Sequence, residues 1–173
     1  MRRIIFTVFM VLSLIVLGSC GYHLAGTGST LPRHIKKIYI PPIKNNTARA
    51  EVETYMTAAL RDEMARRGKE VVDKREDADA ELVGSIDGFR VYPVGITTSG
   101  ESRRFSIFIT GKFVLKDLKT DMVLFSSSSY TFRDEYEAQG TGAVNFLSLQ
   151  TEAIDKIARK FARSIVSTIL EGF

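Results

Sequence analysis

Hydrophobic positions along this chain change their period from segment to segment, and each change marks an element. An apolar run, interrupted only by Thr7 and Ser13, occupies Ile4 to Leu17. From Ile35 to Ile43 the chain is β-branched and aromatic, with Ile38, Ile40 and Ile43 around Tyr39. That composition predicts a strand closed by Pro41-Pro42. Prolines donate no ladder hydrogen bond, so this is an edge strand or a strand end. Asn45-Asn46-Thr47 is a turn and N-cap signal. After it Val52, Tyr55, Met56, Ala59, Leu60 and Met64 recur at three- and four-residue steps, which predicts a helix ended by Gly68. Glu70 to Asp73 reads as a short strand, and Arg75-Glu76-Asp77 as a charged turn.

The second half shows period-2 patterns. Ala80 to Tyr92 predicts a strand in which Gly84 and Gly88 mark a bulge or a close backbone approach. A polar loop is expected from Pro93 to Arg104. Phe105, Ile107, Ile109, Gly111, Phe113 and Leu115 then share one face, with Ser106, Thr110, Lys112 and Lys116 on the other. Asp117 to Asp121 predicts a hairpin turn, and Met122 to Arg133 a returning strand. On that strand Leu124, Tyr130 and Phe132 are expected to share a face with Ser126 and Ser128. A loop from Asp134 to Asn145 leads to a helix from about Leu147 to Leu170, with an apolar stripe of Ile154, Ile157, Ala158, Phe161, Ile165 and Ile169. The sum is an α+β fold: a two-layer sandwich of a mostly antiparallel sheet of about four strands, with two amphipathic helices on one face. The other sheet face is expected to carry Ser, Thr and Lys.

The first segment changes the picture most. Arg2 and Arg3 precede the apolar run, which is too short for a spanning helix, since that needs ~20 apolar residues. Leu17-Gly18-Ser19-Cys20 then places the chain's single cysteine after two small residues. This reads as a lipoprotein signal, cleaved before Cys20, whose thiol becomes the lipid anchor. The expected organisation is a signal peptide over 1–19, a lipidated tether over 20–33 and one α+β domain over 34–173. Gly21 after the cysteine, rather than aspartate, favours the outer membrane with the domain in the periplasm. Without Arg2 and Arg3, 24 basic residues against 20 acidic ones fall to near balance, so nothing demands a nucleic-acid partner. With Cys20 acylated, no thiol remains for a disulfide.

Candidate chemistry is sparse. No glycine-rich phosphate loop or GxSxG context is present. His23 and His34 lack the spacing of a zinc site and read as tether or surface residues. An enzyme, a metal centre and a cofactor are therefore not expected. Lys156, Arg159, Lys160 and Arg163 form a basic stripe on the last helix, whose plainer reading is a solvated face.

Cys20-Gly21-Tyr22-His23-Leu24, Leu31-Pro32, Ile38-Tyr39-Ile40-Pro41-Pro42, Asn45-Asn46-Thr47 and Ala78-Asp79-Ala80-Glu81-Leu82 together carry a resemblance to the LptE family of lipopolysaccharide-assembly lipoproteins. The resemblance implies an αβ sandwich lodged one-to-one in the LptD β-barrel. It implies anchoring to the inner leaflet of the outer membrane through Cys20, and assistance in placing lipopolysaccharide in the outer leaflet. Arg binds phosphate bidentately, so Arg90, Arg103 and Arg104, at strand ends around the 93–104 loop, are the candidate lipopolysaccharide contacts. The Ile-Pro-Pro-Ile piece before a helix is also similar to CsgG-like secretion lipoproteins and to the N-terminal domain of TolB. A lipoprotein of another envelope complex stays open at this point.

Overall fold

A computed structural model of the chain describes residues 30–94, 104–137 and 151–172. The elements, in order, are β1 (Lys37–Tyr39), β2 (Lys44–Asn45), α1 (Val52–Arg66), β3 (Glu70–Val72), a 3-10 turn (Arg75–Asp77), β4 (Ala80–Pro93), β5 (Arg104–Asp117), β6 (Val123–Glu137) and α2 (Thr151–Glu171). One six-stranded sheet has the order β3-β1-β4-β5-β6, with β2 also pairing β4. The long pairs β4–β5 and β5–β6 are antiparallel, and the short strands β1, β2 and β3 pair in parallel. The α+β sandwich is as expected, with the extra strands contributed by pieces of two and three residues.

The Ile35–Ile43 segment splits because of its prolines. β1 stops at Tyr39, and β2 resumes after Pro41-Pro42. Proline therefore marks a strand end here, since β1 itself lies between β3 and β4. Side chains of α1 take up the backbone groups left without a ladder. Arg61 donates through Nε (3.0 Å) and Nη2 (2.6 Å) to the Ile40 carbonyl, and the Ile43 N–H donates to Thr57 Oγ1 at 3.0 Å.

Asn45-Asn46-Thr47 makes a turn but not the helix cap. Asn45 Oδ1 accepts from the Thr47 N–H at 2.9 Å, while the N-cap of α1 is Glu51, at φ 65°, with no side-chain capping bond. The C-terminal end follows the expectation, with Gly68 at φ +78° just beyond Arg67.

The core lies between the helices and one sheet face. Ile107, Ile109, Phe113 and Leu115 of β5 meet Met56, Leu60 and Met64 of α1 and the predicted stripe of α2 from Ile157 to Ile169, while Ile154 is buried in a small separate cluster with Ala153. Phe161 is the centre of the main core, with ring centroids of Phe113, Tyr130 and Phe132 at 5.7, 5.8 and 5.7 Å. Gly84 makes room for this cluster. A Cβ there would sit 2.5 Å from the Phe113 ring.

Three β-bulges interrupt the long ladders, one in β4, as Gly88 predicts, and two in β6, where the one between Leu115 and Lys116 leaves Leu124 out of register. That in β4, between Ile86 and Gly88, leaves Asp87 out of the β4–β5 register. Asn46 Nδ2 binds the Asp87 carboxylate at 2.8 Å and Lys112 approaches it at 3.2 Å. The second β6 bulge lies within the serine run. Gly111 pairs Tyr130 but Phe113 pairs Ser127, so the strand gains a residue between. Ser126 therefore pairs with Val114 on the outer face, opposite to the side that carries Tyr130 and Phe132. Residues 134–137, expected as loop, continue β6, and Pro93 belongs to β4.

Candidate ligand groove on the helix-free sheet face

Both helices cover the odd-numbered side of β5, so its even-numbered residues look outward. On that side the two hairpins align residues from three strands. Arg90 pairs Phe108, and Phe108 pairs Arg133, giving one row across β4, β5 and β6. Tyr92, Ser106 and Glu135 form the next row, and Gly88, Thr110 and Thr131 the row on the other side. Neighbouring strands are ~4.8 Å apart, so the Cα atoms of Arg90 and Arg133 are roughly 10 Å apart with an aromatic ring between them.

The rings and cations in this patch are already organised. Tyr92 packs edge-on against Phe108, centroid to centroid 5.7 Å at 76°. The Arg133 guanidinium stands 5.3 Å over the Phe108 ring, a cation–π contact of the kind worth about 0.5–1 kcal/mol when exposed. Its Nε donates to Ser106 Oγ at 3.2 Å, and Glu135 lies 3.9 Å from Nη2. Arg90 is exposed and has no hydrogen-bond or ion-pair partner among the described residues. Gly88, Arg90, Tyr92, Phe108 and Thr110 line a depression of about 310 Å³. Gly88 keeps it open and flat, because a Cβ there would collide with Thr110 Oγ1. The chemistry on offer is an edge-to-face aromatic pair between two guanidinium groups. It suits an anion bearing a flat or sugar-like body, held by bidentate hydrogen bonds.

Of the residues singled out in the sequence, Arg90 and Arg104 both fall on this face. Arg104 opens β5 four residues before Phe108, roughly 13 Å along the strand, and pairs Glu137 in register. Arg103 and Cys20 lie outside the described residues. The stripe on α2 is partly spoken for: Arg159 pairs with Asp155, and Lys160 Nζ bonds Asp134 at 2.6 Å. Sequence reading missed Phe108, Tyr92 and Arg133. Phe108 left a usable signal, a large aromatic on the otherwise polar side of the cleanest alternation in the chain.

The opposite end of the sheet is held by two carboxylates. Asp79 accepts from Lys119 Nζ (2.6 Å) and from the N–H groups of Lys37 (2.9 Å) and Lys36 (3.0 Å). The Lys119 ammonium, then the Lys37 amide, hold its carboxyl down at about 2. Asp117, 1% exposed, is bonded by His34 Nε2 at 2.8 Å and by the Lys119 and Thr120 N–H groups at 2.8 and 3.2 Å. Burial pushes its carboxyl up, but the Thr120 hydroxyl, these amides and the His34 ring outweigh that and keep it well below the usual carboxylate range. His34, expected at the surface or in the tether, is half-exposed and serves as one half of this latch.

Among the described residues no group of three or more His, Cys, Asp and Glu could hold a metal ion, and no helix is long and apolar enough to cross a membrane. No curated protein matches the chain in sequence. Solved structures share its fold. The PelC dodecamer from Paraburkholderia phytofirmans is similar at TM-score 0.53 and 16% identity, over 83% of this chain and 94% of that one. The hypothetical protein CT253 from Chlamydia trachomatis is similar at TM-score 0.51 and 7% identity, over 78% and 97%. Protein XCC0632 from Xanthomonas campestris is similar at TM-score 0.51 and 14% identity, over 82% and 87%. The family model described as LptE, lipopolysaccharide-assembly, matches residues 35–169, from just before β1 to the last turn of α2, and the chain belongs to that family.

Proposed function

We propose that this chain is a lipoprotein of the outer membrane, acylated at Cys20 after loss of residues 1–19. Its domain over 34–173 lodges in the LptD β-barrel, supports assembly of that barrel and assists the placement of lipopolysaccharide in the outer leaflet. The family match over 35–169 is the observation that carries this reading. Affinity-tagged full-length protein, purified from outer membranes, brings down a large β-barrel in one-to-one ratio. A preparation that never contains such a barrel sinks the proposal.

The groove supplies the ligand half of the reading. Lipopolysaccharide presents phosphates on a sugar head, and Arg90 and Arg133 flank the half-buried Phe108 and exposed Tyr92 that would face the sugar. Arg104, four residues before Phe108 on β5, adds positive charge beyond this pair, and Arg103 precedes it in the sequence. A hydrogen bond to a charged group contributes about 1.5–3 kcal/mol. Arg90→Glu with Arg133→Glu should therefore weaken lipopolysaccharide binding at least tenfold in a direct binding assay, and Arg103→Glu with Arg104→Glu by less. Unchanged binding in the first pair removes the groove from the mechanism.

A further inference from the structure

We propose that, before the domain is seated in the barrel, the end where the chain enters docks on the membrane surface, with Met122 and Val123 at the β5–β6 hairpin inserting among the lipid headgroups. The proposal rests on acylation of Cys20, which brings this end to the bilayer.

The entry point is fixed. The Thr30 N–H and Oγ1 both donate to the Leu170 carbonyl, at 2.7 and 3.1 Å, at the C-terminal end of α2. From Cys20 to Thr30 the chain can reach at most ~35 Å. The segment that follows is bound to the β5–β6 turn. His34 joins Asp117, the last residue of β5, and Lys119 of the turn joins Asp79, which also holds the Lys36 and Lys37 amides. Entry and hairpin therefore form one rigid corner, and the tether keeps that corner near the lipid.

The corner carries what a surface anchor needs. Met122 and Val123 are 61% and 56% exposed, the two most exposed large apolar side chains among the described residues. They follow Asp121, whose φ of 62° turns the chain back into β6. The acidic groups closest to them are occupied: Asp121 by Lys116 Nζ at 2.7 Å, and Asp79 and Asp117 as above. Arg33 and Lys36 remain exposed, with no ion pair among the described residues, and can meet lipid phosphates. Glu76 and Asp77 keep the neighbouring turn polar, which limits insertion to the hairpin tip. Acylation of Cys20 holds the chain at the bilayer without orienting the domain, and a second contact at this corner orients it. Standing on this hairpin, the domain carries the Arg90–Phe108–Arg133 row roughly 30 Å along β6 from the surface.

The chain contains no tryptophan, so a single introduced indole reports its own environment. The test uses full-length acylated protein in phosphatidylethanolamine–phosphatidylglycerol vesicles with brominated acyl chains, with flotation read separately. Met122→Trp should shift its emission to the blue and lose at least half its intensity to the bromines. Glu135→Trp, at the groove end, should lose under a tenth. Val123→Trp repeats the first measurement should Met122→Trp fold poorly by circular dichroism. Protein that floats with an unquenched tip indole, or with both indoles quenched alike, overturns the docking surface. Protein that does not float overturns acylation at Cys20 and the docking with it.

Discussion

Asp79 illustrates how much one side chain can organise. Its carboxylate gathers the start of β1, the start of β4 and the β5–β6 turn through two amides and one ammonium. Its folded pKa, about 2, lies below that of an unfolded aspartate near 3.9. The stabilisation is therefore complete above pH ~4 and disappears as pH falls towards 2. Screening at this partly solvated site reduces its worth to about 1–2 kcal/mol. Asp79→Asn should lower the unfolding free energy by about that much at pH 7 and leave it nearly unchanged at pH 2. Urea titrations at the two pH values measure the difference. An equal loss at both would assign Asp79 a packing role instead.

Among the elements, α2 and β5 were readable from the sequence because each buries a face with one unbroken period. Every residue of the predicted α2 stripe, Ile154 to Ile169, is buried. The β4 bulge was marked by Gly88, but those of β6 were not readable, because they depend on what lies across the ladder. Nothing within Ser126 to Ser129 says that a residue will be skipped opposite Gly111 and Phe113. The same limit hid the groove. Arg90 and Arg104 stand out as arginines at strand ends, but joining Arg90 to Arg133 needs the register of two hairpins at once. The helix pairing is also a matter of context. Arg67, at the end of α1, donates to Glu63 at 3.1 Å, Glu171 at 3.1 Å and Ser167 at 2.9 Å, so its planar fork ties α1 to the last turn of α2. Glu63 is 6% exposed and keeps only Arg66 when this fork is removed. Arg67→Ala should cost about 1–2 kcal/mol in thermal or urea unfolding. Arg67→Lys should recover less than half of that, since an ammonium cannot reproduce three diverging contacts. Full recovery by lysine would reduce the fork to simple charge.

At the scale of the whole molecule, the two faces of the sheet pose different physical problems. One is sealed by helices over a core of fully buried Ile, Leu, Met and Phe. The other carries small or polar side chains over its middle, with Val83 and Val114 directly paired across β4 and β5 and Ser126 next in that row. Val83 is 40% exposed there. Short side chains at these positions let another β-surface approach to the ~10 Å spacing of packed sheets, as the proposed seat inside a barrel requires. The groove row lies several residues away along the same strands, so barrel contact and ligand contact can be separated by mutation. Val114→Arg puts a long cation at the centre of the row. Val114 is half-buried on the outer face, so unfolding should change by no more than about 1 kcal/mol. Recovery of the barrel with tagged protein should drop severalfold, whereas lipopolysaccharide binding by the isolated protein should stay at its original strength. The reverse pattern is expected of Arg90→Glu with Arg133→Glu. If Val114→Arg leaves barrel recovery intact, the helical face or the β6 edge makes the contact, and the small side chains of the open face only meet solvent.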